Sequence, residues 1–223
     1  MLLYKPLQPY ERVIIKMRIN VLDKGFVELI ESMGSDSTIA DSARISYVGK
    51  LSTKEADAKL IRMLMKNGHT SPFEQVEFRF LVKAPIYVAR QWMRHRTWSF
   101  NEKSLRYTAK GINEYYLPEL NDEASKIYVD AVELGIESYN RLLELGIPKE
   151  QARGILPTSL YTVFYAKTDL HNLFHFLELR LGKGAQYEIS EYANAICKLI
   201  EPIVPIAFAE WTYKLGETYN DKK

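Results

Sequence analysis

The sequence predicts an α+β fold: a single domain over residues 1–223, with a small mixed or antiparallel sheet lobe and a C-terminal helical bundle portion. Alternating apolar and polar residues are concentrated before Pro85, and helical spacing dominates from about Glu119 onward. No internal repeat or low-complexity segment separates the two regions, and 223 residues suffice for one sizeable core.

Residues 13–22 place Ile15, Met17, Ile19 and Val21 on one side and Lys16, Arg18 and Asn20 on the other, as a half-buried strand does. Val27, Leu29, Ile30 and Met33 carry helical spacing. Ser52-Thr53-Lys54-Glu55 has the form of a capping box, which satisfies free amides at a helix start, and it predicts a helix carrying Leu60, Ile61, Leu64 and Met65 that ends at Gly68. Ser71-Pro72-Phe73-Glu74 predicts a second start, with proline at the first helical position, where its missing N–H has no partner to lose. Val76, Phe78, Phe80 and Val82 alternate with Glu77, Arg79, Leu81 and Lys83 as a strand, which Ala84-Pro85 ends before a helix from near Ile86. On that helix Gln91, Arg94 and His95 share a face, and residues 97–103 read as a loop. Further helices are expected over 119–144, 149–156, 169–181, 186–200 and 206–215, with a stop at Gly146-Ile147-Pro148 and one more strand over 160–165.

Hydrophobic residues at 47 % and charged residues at 26 % exclude a disordered chain. A net charge of +2 excludes the global basic field of non-specific nucleic-acid binding. The single cysteine, Cys197, excludes an internal disulfide, and its helical neighbours Ala193, Ile196 and Ile200 assign it to packing. Met1-Leu2-Leu3-Tyr4-Lys5-Pro6 lacks the apolar run of a secretory signal, and no window has the length of a membrane span, so a cytoplasmic protein without membrane partners is expected. Fifteen tyrosines mainly serve the core, with a share available for an interface or for stacking on flat ligands.

The chemistry concentrates in Arg94-His95-Arg96-Thr97-Trp98-Ser99-Phe100-Asn101-Glu102-Lys103-Ser104-Leu105-Arg106. Planar cationic forks beside hydroxyls are what phosphate and carboxylate recognition requires, so the segment reads as an anion-binding site. Adjacent cations can neutralise a diphosphate, while His95 adds a donor and a flat surface. Arg106 can fork onto a phosphate monoester and Ser104 can hydrogen-bond beside it. A nucleophilic serine needs a base oriented against it, and no Gly-x-Ser-x-Gly elbow is present, so Ser104 is assigned to positioning. In Asp169-Leu170-His171-Asn172-Leu173-Phe174-His175, the histidines have zinc-ligand spacing. The metalloprotease pattern needs glutamate after the first histidine, however, where this chain has Asn172, and no metal is expected.

Arg94-His95-Arg96, then seven residues, then Ser104, with Arg106 two further and Arg90-Gln91-Trp92 and Tyr107 flanking, closely resembles the signature of the flavin-dependent thymidylate synthases. His69-Thr70-Ser71-Pro72-Phe73-Glu74 resembles that family's His-x-x-Pro-Phe-Glu segment, and motifs follow in order from about Val21 to Ile200. The resemblance implies reductive methylation of dUMP to dTMP, with methylene-tetrahydrofolate as carbon donor, NADPH as hydride source and FAD as redox carrier. It implies a homotetramer with a helical bundle set against α/β lobes. For FAD it implies Ser46, His69, Ser71, Glu74, Arg94, His95, Arg96, Glu102, Asp169, His171 and His175. For dUMP it implies Gln91, Arg94, Glu102, Ser104, Leu105, Arg106, Arg153 and Arg180, with Arg180 catalytic at the uracil ring. Some members carry asparagine and arginine where this chain has Asp169, His171 and His175, and Gly184-Ala185-Gln186 stands where His-Ala-Gln is usual.

Carbon 5 of uracil becomes nucleophilic only if negative charge can build on the ring, and a permanently charged arginine stabilises that charge without giving up a proton. The rival readings are a non-catalytic nucleotide- or RNA-binding protein using the Arg94–Arg106 basic segment, and a metal-dependent hydrolase built on His171 and His175.

Overall fold

The structure, a computed structural model, describes residues 17–45, 53–107 and 112–220. Strands β1 (Met17–Val21) and β2 (Gly25–Met33) form an antiparallel hairpin whose turn holds Leu22 at φ 58°, in the left-handed region. Val27, Leu29, Ile30 and Met33, spaced as on a helix, therefore belong to a strand. Between Leu29 and Glu31 the register against the next strand slips, and the extra residue breaks the two-residue period that would have announced it. At Gly25 a Cβ would collide with the hydroxyl of Tyr192, which donates to the Lys83 carbonyl at 2.7 Å.

Helix α1 (Asp36–Arg44) buries only Ile39 and Ala40 among its apolar side chains, too few to mark a helical stripe in the sequence. Helix α2 (Lys54–Lys66) is capped by Thr53, whose Oγ1 accepts the Ala56 N–H at 3.2 Å; Ser52, the expected cap, lies outside the described residues. Ser71-Pro72 opens no full helix. Only a three-residue 3₁₀ turn, Phe73–Gln75, forms there, because the fully buried Val76 draws the chain straight into β3 (Glu77–Pro85).

Helix α3 (Ile86–Trp92) stops at its C-cap Met93, so Arg94 and His95 lie beyond the helix and do not continue a face with Gln91. Residues 97–103 are not simply a loop either, since β4 (Ser99–Glu102) pairs there with a strand the sequence order places late. After α4 (Asp122–Glu144), α5 (Lys149–Ala152) and a 3₁₀ turn (Arg153–Ile155), strand β5 (Tyr161–Asp169) enters the middle of the sheet. It is followed by α6 (Leu170–Leu181), α7 (Tyr187–Ile200) and α8 (Pro205–Asn220).

The five strands run in the order β1-β2-β3-β5-β4, antiparallel throughout. Strands β3 and β4 flank β5, with Pro85 opposite Tyr161 on one side and Glu102 opposite Phe164 on the other. One core joins Val27, Phe80, Val82 and Phe164 of the sheet to Phe176 of α6 and Ile196 of α7. A second cluster around Ile112, Tyr139 and Ala152 fastens Leu105 to α4 and α5. The Asp36 carboxylate, buried at the start of α1, accepts the N–H groups of Ile206 at 2.8 Å and Ala207 at 2.9 Å, closing the otherwise open N-terminus of α8. Among the described residues no helix is long and apolar enough to cross a membrane.

Candidate active site

Two tryptophans shape the basic turn. Trp92, at the end of α3, is fully buried and stacks on Phe176 at 4.8 Å, while Trp98, just before β4, is buried with its ring centroid 5.9 Å from that of Trp92. Burying such rings stabilises the fold by roughly 1.5–3 kcal/mol each, which anchors both ends of a short span. Between the anchors Met93 packs partly against the core and one polar side chain turns fully inward. His95 takes that place, while Arg94 and Arg96 are exposed. Neither arginine is hydrogen-bonded or ion-paired through its side chain to another described residue, so both cations face solvent.

Arg180, in the last turn of α6, reaches this turn. Its Nε–H donates to His95 Nε2 at 3.2 Å and a terminal nitrogen donates to the Gln91 carbonyl at 2.9 Å. Burial, the Arg180 cation and His175 together push the His95 imidazole down to about 4, so it is neutral at physiological pH. Burial also lowers the Arg180 guanidinium, without threatening its charge. The rings of His95 and His175 are 6.1 Å apart, which links the turn to a neighbouring cleft.

That cleft, of about 160 Å³, is lined by His69 from the loop after α2, by His171, His175 and Glu178 from α6, and by Trp211 and Lys214 from α8. It brings together three of the residues implied for flavin. Ser71 and Glu74 sit exposed on the turn after His69, outside the cleft lining. Asp169 caps α6, its two carboxylate oxygens accepting from the backbone and side-chain nitrogens of Asn172 at 2.9 and 2.7 Å. Ser46 lies outside the described residues. Among the described residues no group of histidine, cysteine and carboxylate side chains is arranged to hold a metal ion.

The downstream arm is held differently. Glu102 accepts from Thr162 Oγ1 on β5 at 2.7 Å, and Ser104 Oγ accepts the Arg106 N–H at 3.3 Å, a local turn. Leu105 packs into the α4–α5 cluster, and Arg106 stands 3.8 Å from Glu150, one turn before the exposed Arg153. Two residues of α7 and its cap received no role from the sequence pattern: Gln186, whose side-chain oxygen accepts from Gln91 at 2.5 Å, and Ser190, which donates to the Arg180 carbonyl at 2.6 Å. Ser190, an ordinary polar residue in a helix, carries no sequence signal, and Trp211 and Lys214 of the cleft carry none either; Gln186 was marked only by the altered His-Ala-Gln motif, without a role.

An antiparallel sheet flanked by a turn with solvent-facing arginines around a buried neutral histidine, beside a histidine-lined cleft, defines an α+β protein with a cationic face. The family model described as "Thymidylate synthase complementing protein" matches residues 28–206. The flavin-dependent thymidylate synthase of Thermus thermophilus is 47 % identical over 218 residues, covering 90 % of this chain and 80 % of that protein. The enzyme of the same name from Thermotoga neapolitana is 44 % identical over 215 residues, covering 92 % of this chain and 97 % of the relative. The UMP/dUMP methylase PolB from Streptomyces cacaoi, solved with 5-Br dUMP, superposes with a TM-score of 0.81 at 34 % identity, over 87 % of this chain and 97 % of the other. The chain belongs to the flavin-dependent thymidylate synthase family, a family of enzymes, which sets aside the reading as a non-catalytic binding protein.

Proposed function

We propose that the chain converts dUMP to dTMP by reductive methylation, using methylene-tetrahydrofolate as carbon donor, NADPH as hydride source and FAD as redox carrier. The observation that carries this reading is the Arg180 guanidinium, fixed against neutral His95 and the Gln91 carbonyl with further N–H donors uncommitted. A planar cation held in this way can meet a uracil edge and stabilise negative charge as carbon 5 attacks the methylene carbon. Arg106 and Ser104 suit the substrate phosphate, which would compete with Glu150 for Arg106. In this reading Gln91, Glu102, Leu105 and Arg153 complete the nucleotide site, and the exposed Arg94 serves both nucleotide and flavin.

The residues present fit FAD: Arg94 and Arg96 offer charge to a diphosphate, and the cleft of His69, His171 and His175 offers flat and hydrogen-bonding walls. When bound, FAD supplies the two-electron reduction that turns a transferred methylene into a methyl group. The reading includes one domain spanning the chain, a cytoplasmic location and a homotetramer. Ile127 and Leu134, a heptad apart on α4 and 66 % and 63 % exposed, offer an apolar stripe that such an assembly could cover. The test combines an absorption spectrum of the purified protein with tritium release from carbon-5-labelled dUMP. A flavin spectrum, and release that requires both NADPH and the folate, are expected. Release without flavin, or none with every component present, would overturn the reading.

A further inference from the structure

Three contacts fix Arg180. As a residue of the last turn of α6 it has a carbonyl that the helix itself leaves without a partner, and the Ser190 hydroxyl of α7 donates to it at 2.6 Å. Its side chain then spends two donors on the basic turn, Nε–H on His95 Nε2 and a terminal nitrogen on the Gln91 carbonyl. Gln91 is in turn tied to α7 through Gln186. A guanidinium has five N–H donors and no acceptor, so the contact at His95 requires a lone pair on Nε2 and places the imidazole proton on Nδ1. With the Nε side committed, three N–H donors remain, among them the parallel end-on pair that suits a planar partner.

We propose that His95 and Ser190 are positioning residues for Arg180: His95 is a neutral Nε2 acceptor that orients the guanidinium, and Ser190 caps the arginine's own carbonyl. The inference rests on the assignment of Arg180 to the uracil ring. The charged and titratable groups around His95 are Arg180 and His175 of α6 and its own neighbours Arg94 and Arg96, while Phe176 packs on its ring at 5.0 Å. All of these oppose a second proton, and the shift of His95 to about 4 agrees with that geometry. Protonation at Nε2 would remove the acceptor, set two cations against each other and free the arginine.

The test uses the full-length, flavin-loaded chain. It has four histidines, so nitrogen-15 histidine spectra are simple to assign, with His95→Gln identifying the His95 signals. In the wild type, His95 is expected to show an unprotonated Nε2 and no titration between about pH 5.5 and 8, where an ordinary histidine titrates. In Arg180→Ala its titration is expected to move up. In tritium release from carbon-5-labelled dUMP, His95→Phe should lose about ten- to a hundredfold, the loss expected for one hydrogen bond to a charged group, while His95→Gln, which restores an acceptor, should recover most of it. Ser190→Ala should lose several-fold at unchanged flavin content, and Ser190→Thr should recover. A wild-type His95 that titrates like a free histidine, a titration indifferent to Arg180→Ala, or Phe and Gln equally impaired at position 95 would overturn the inference. A wild type that releases no tritium would overturn the proposed function instead, and the histidine titration would still decide the pairing.

Discussion

At position 180 the charge can be conserved while the geometry is lost. Lysine carries a point charge on a flexible stem and has no Nε–H, so it cannot hold His95 Nε2 and the Gln91 carbonyl while facing a ring. Arg180→Lys is expected to keep its flavin and to lose dTMP formation by about tenfold or more, with NADPH oxidation in the absence of dUMP changing less. Equal loss of the two activities would remove Arg180 from its role. Cys197 is the contrary case. Burial, reinforced by Glu201, pushes its thiol up to about 12, so at neutral pH it carries no thiolate for attack on uracil. Cys197→Ala should retain most tritium release and lose on the order of 1 kcal/mol of stability; a folded, flavin-loaded variant that binds dUMP and releases none would return the nucleophilic step to this thiol. The cationic character of residues 94–106 was legible in the sequence because charge is a property of composition. That His95 alone of the triplet turns inward was not, because it follows from where Trp92 and Trp98 find room in a core assembled from distant segments.

Elements were legible where burial follows one period and illegible where it does not. β3 announced itself because Phe78, Phe80 and Val82 are all buried on one face. β2 resembled a helix because its bulge shifts the pattern, and β4 resembled a loop because it is short, at a sheet edge and mostly exposed. No periodicity could reveal that Gly25 lies under the Tyr192 hydroxyl, a contact between segments far apart in the sequence. Gly25→Ala is therefore expected to displace Tyr192, break its bond to the Lys83 carbonyl and destabilise the protein by about 2 kcal/mol or more, seen as a lowered urea midpoint. Gly25→Ala together with Tyr192→Phe should recover only part of that loss, since the hydroxyl is gone but the Lys83 and Val21 carbonyls, each 2.8 Å from the added carbon, remain. A single variant as stable as wild type would mean that the hairpin and α7 can separate at no expense.

For the whole molecule, the neutral His95 links stability to pH. Its folded value, about 4, lies below the ordinary 6.5, so between those values the unfolded chain takes up a proton that the folded chain refuses. Stability is expected to fall as pH is lowered through that window and to be insensitive to this group above it. Asp36, whose burial raises its carboxyl above the ordinary range, acts with opposite sign at the acid end. Urea midpoints at pH 5 and 7.5 should differ for wild type and differ less for His95→Gln; an equal difference would show that His95 is not the group involved. Beyond equilibrium, the pinning of Pro85 and Glu102 on opposite sides of β5 imposes a chronology. The ribosome delivers Arg94 and Arg96 well before it delivers Tyr161 and Phe164, so in a nascent chain the turn that carries these arginines stays untethered until the whole α4–α5 excursion has been made and β5 threads between the two waiting strands. During that interval the cations lack the fixed backbone geometry of the folded turn, and a chain interrupted before Tyr161 has neither of the pairings that would set it.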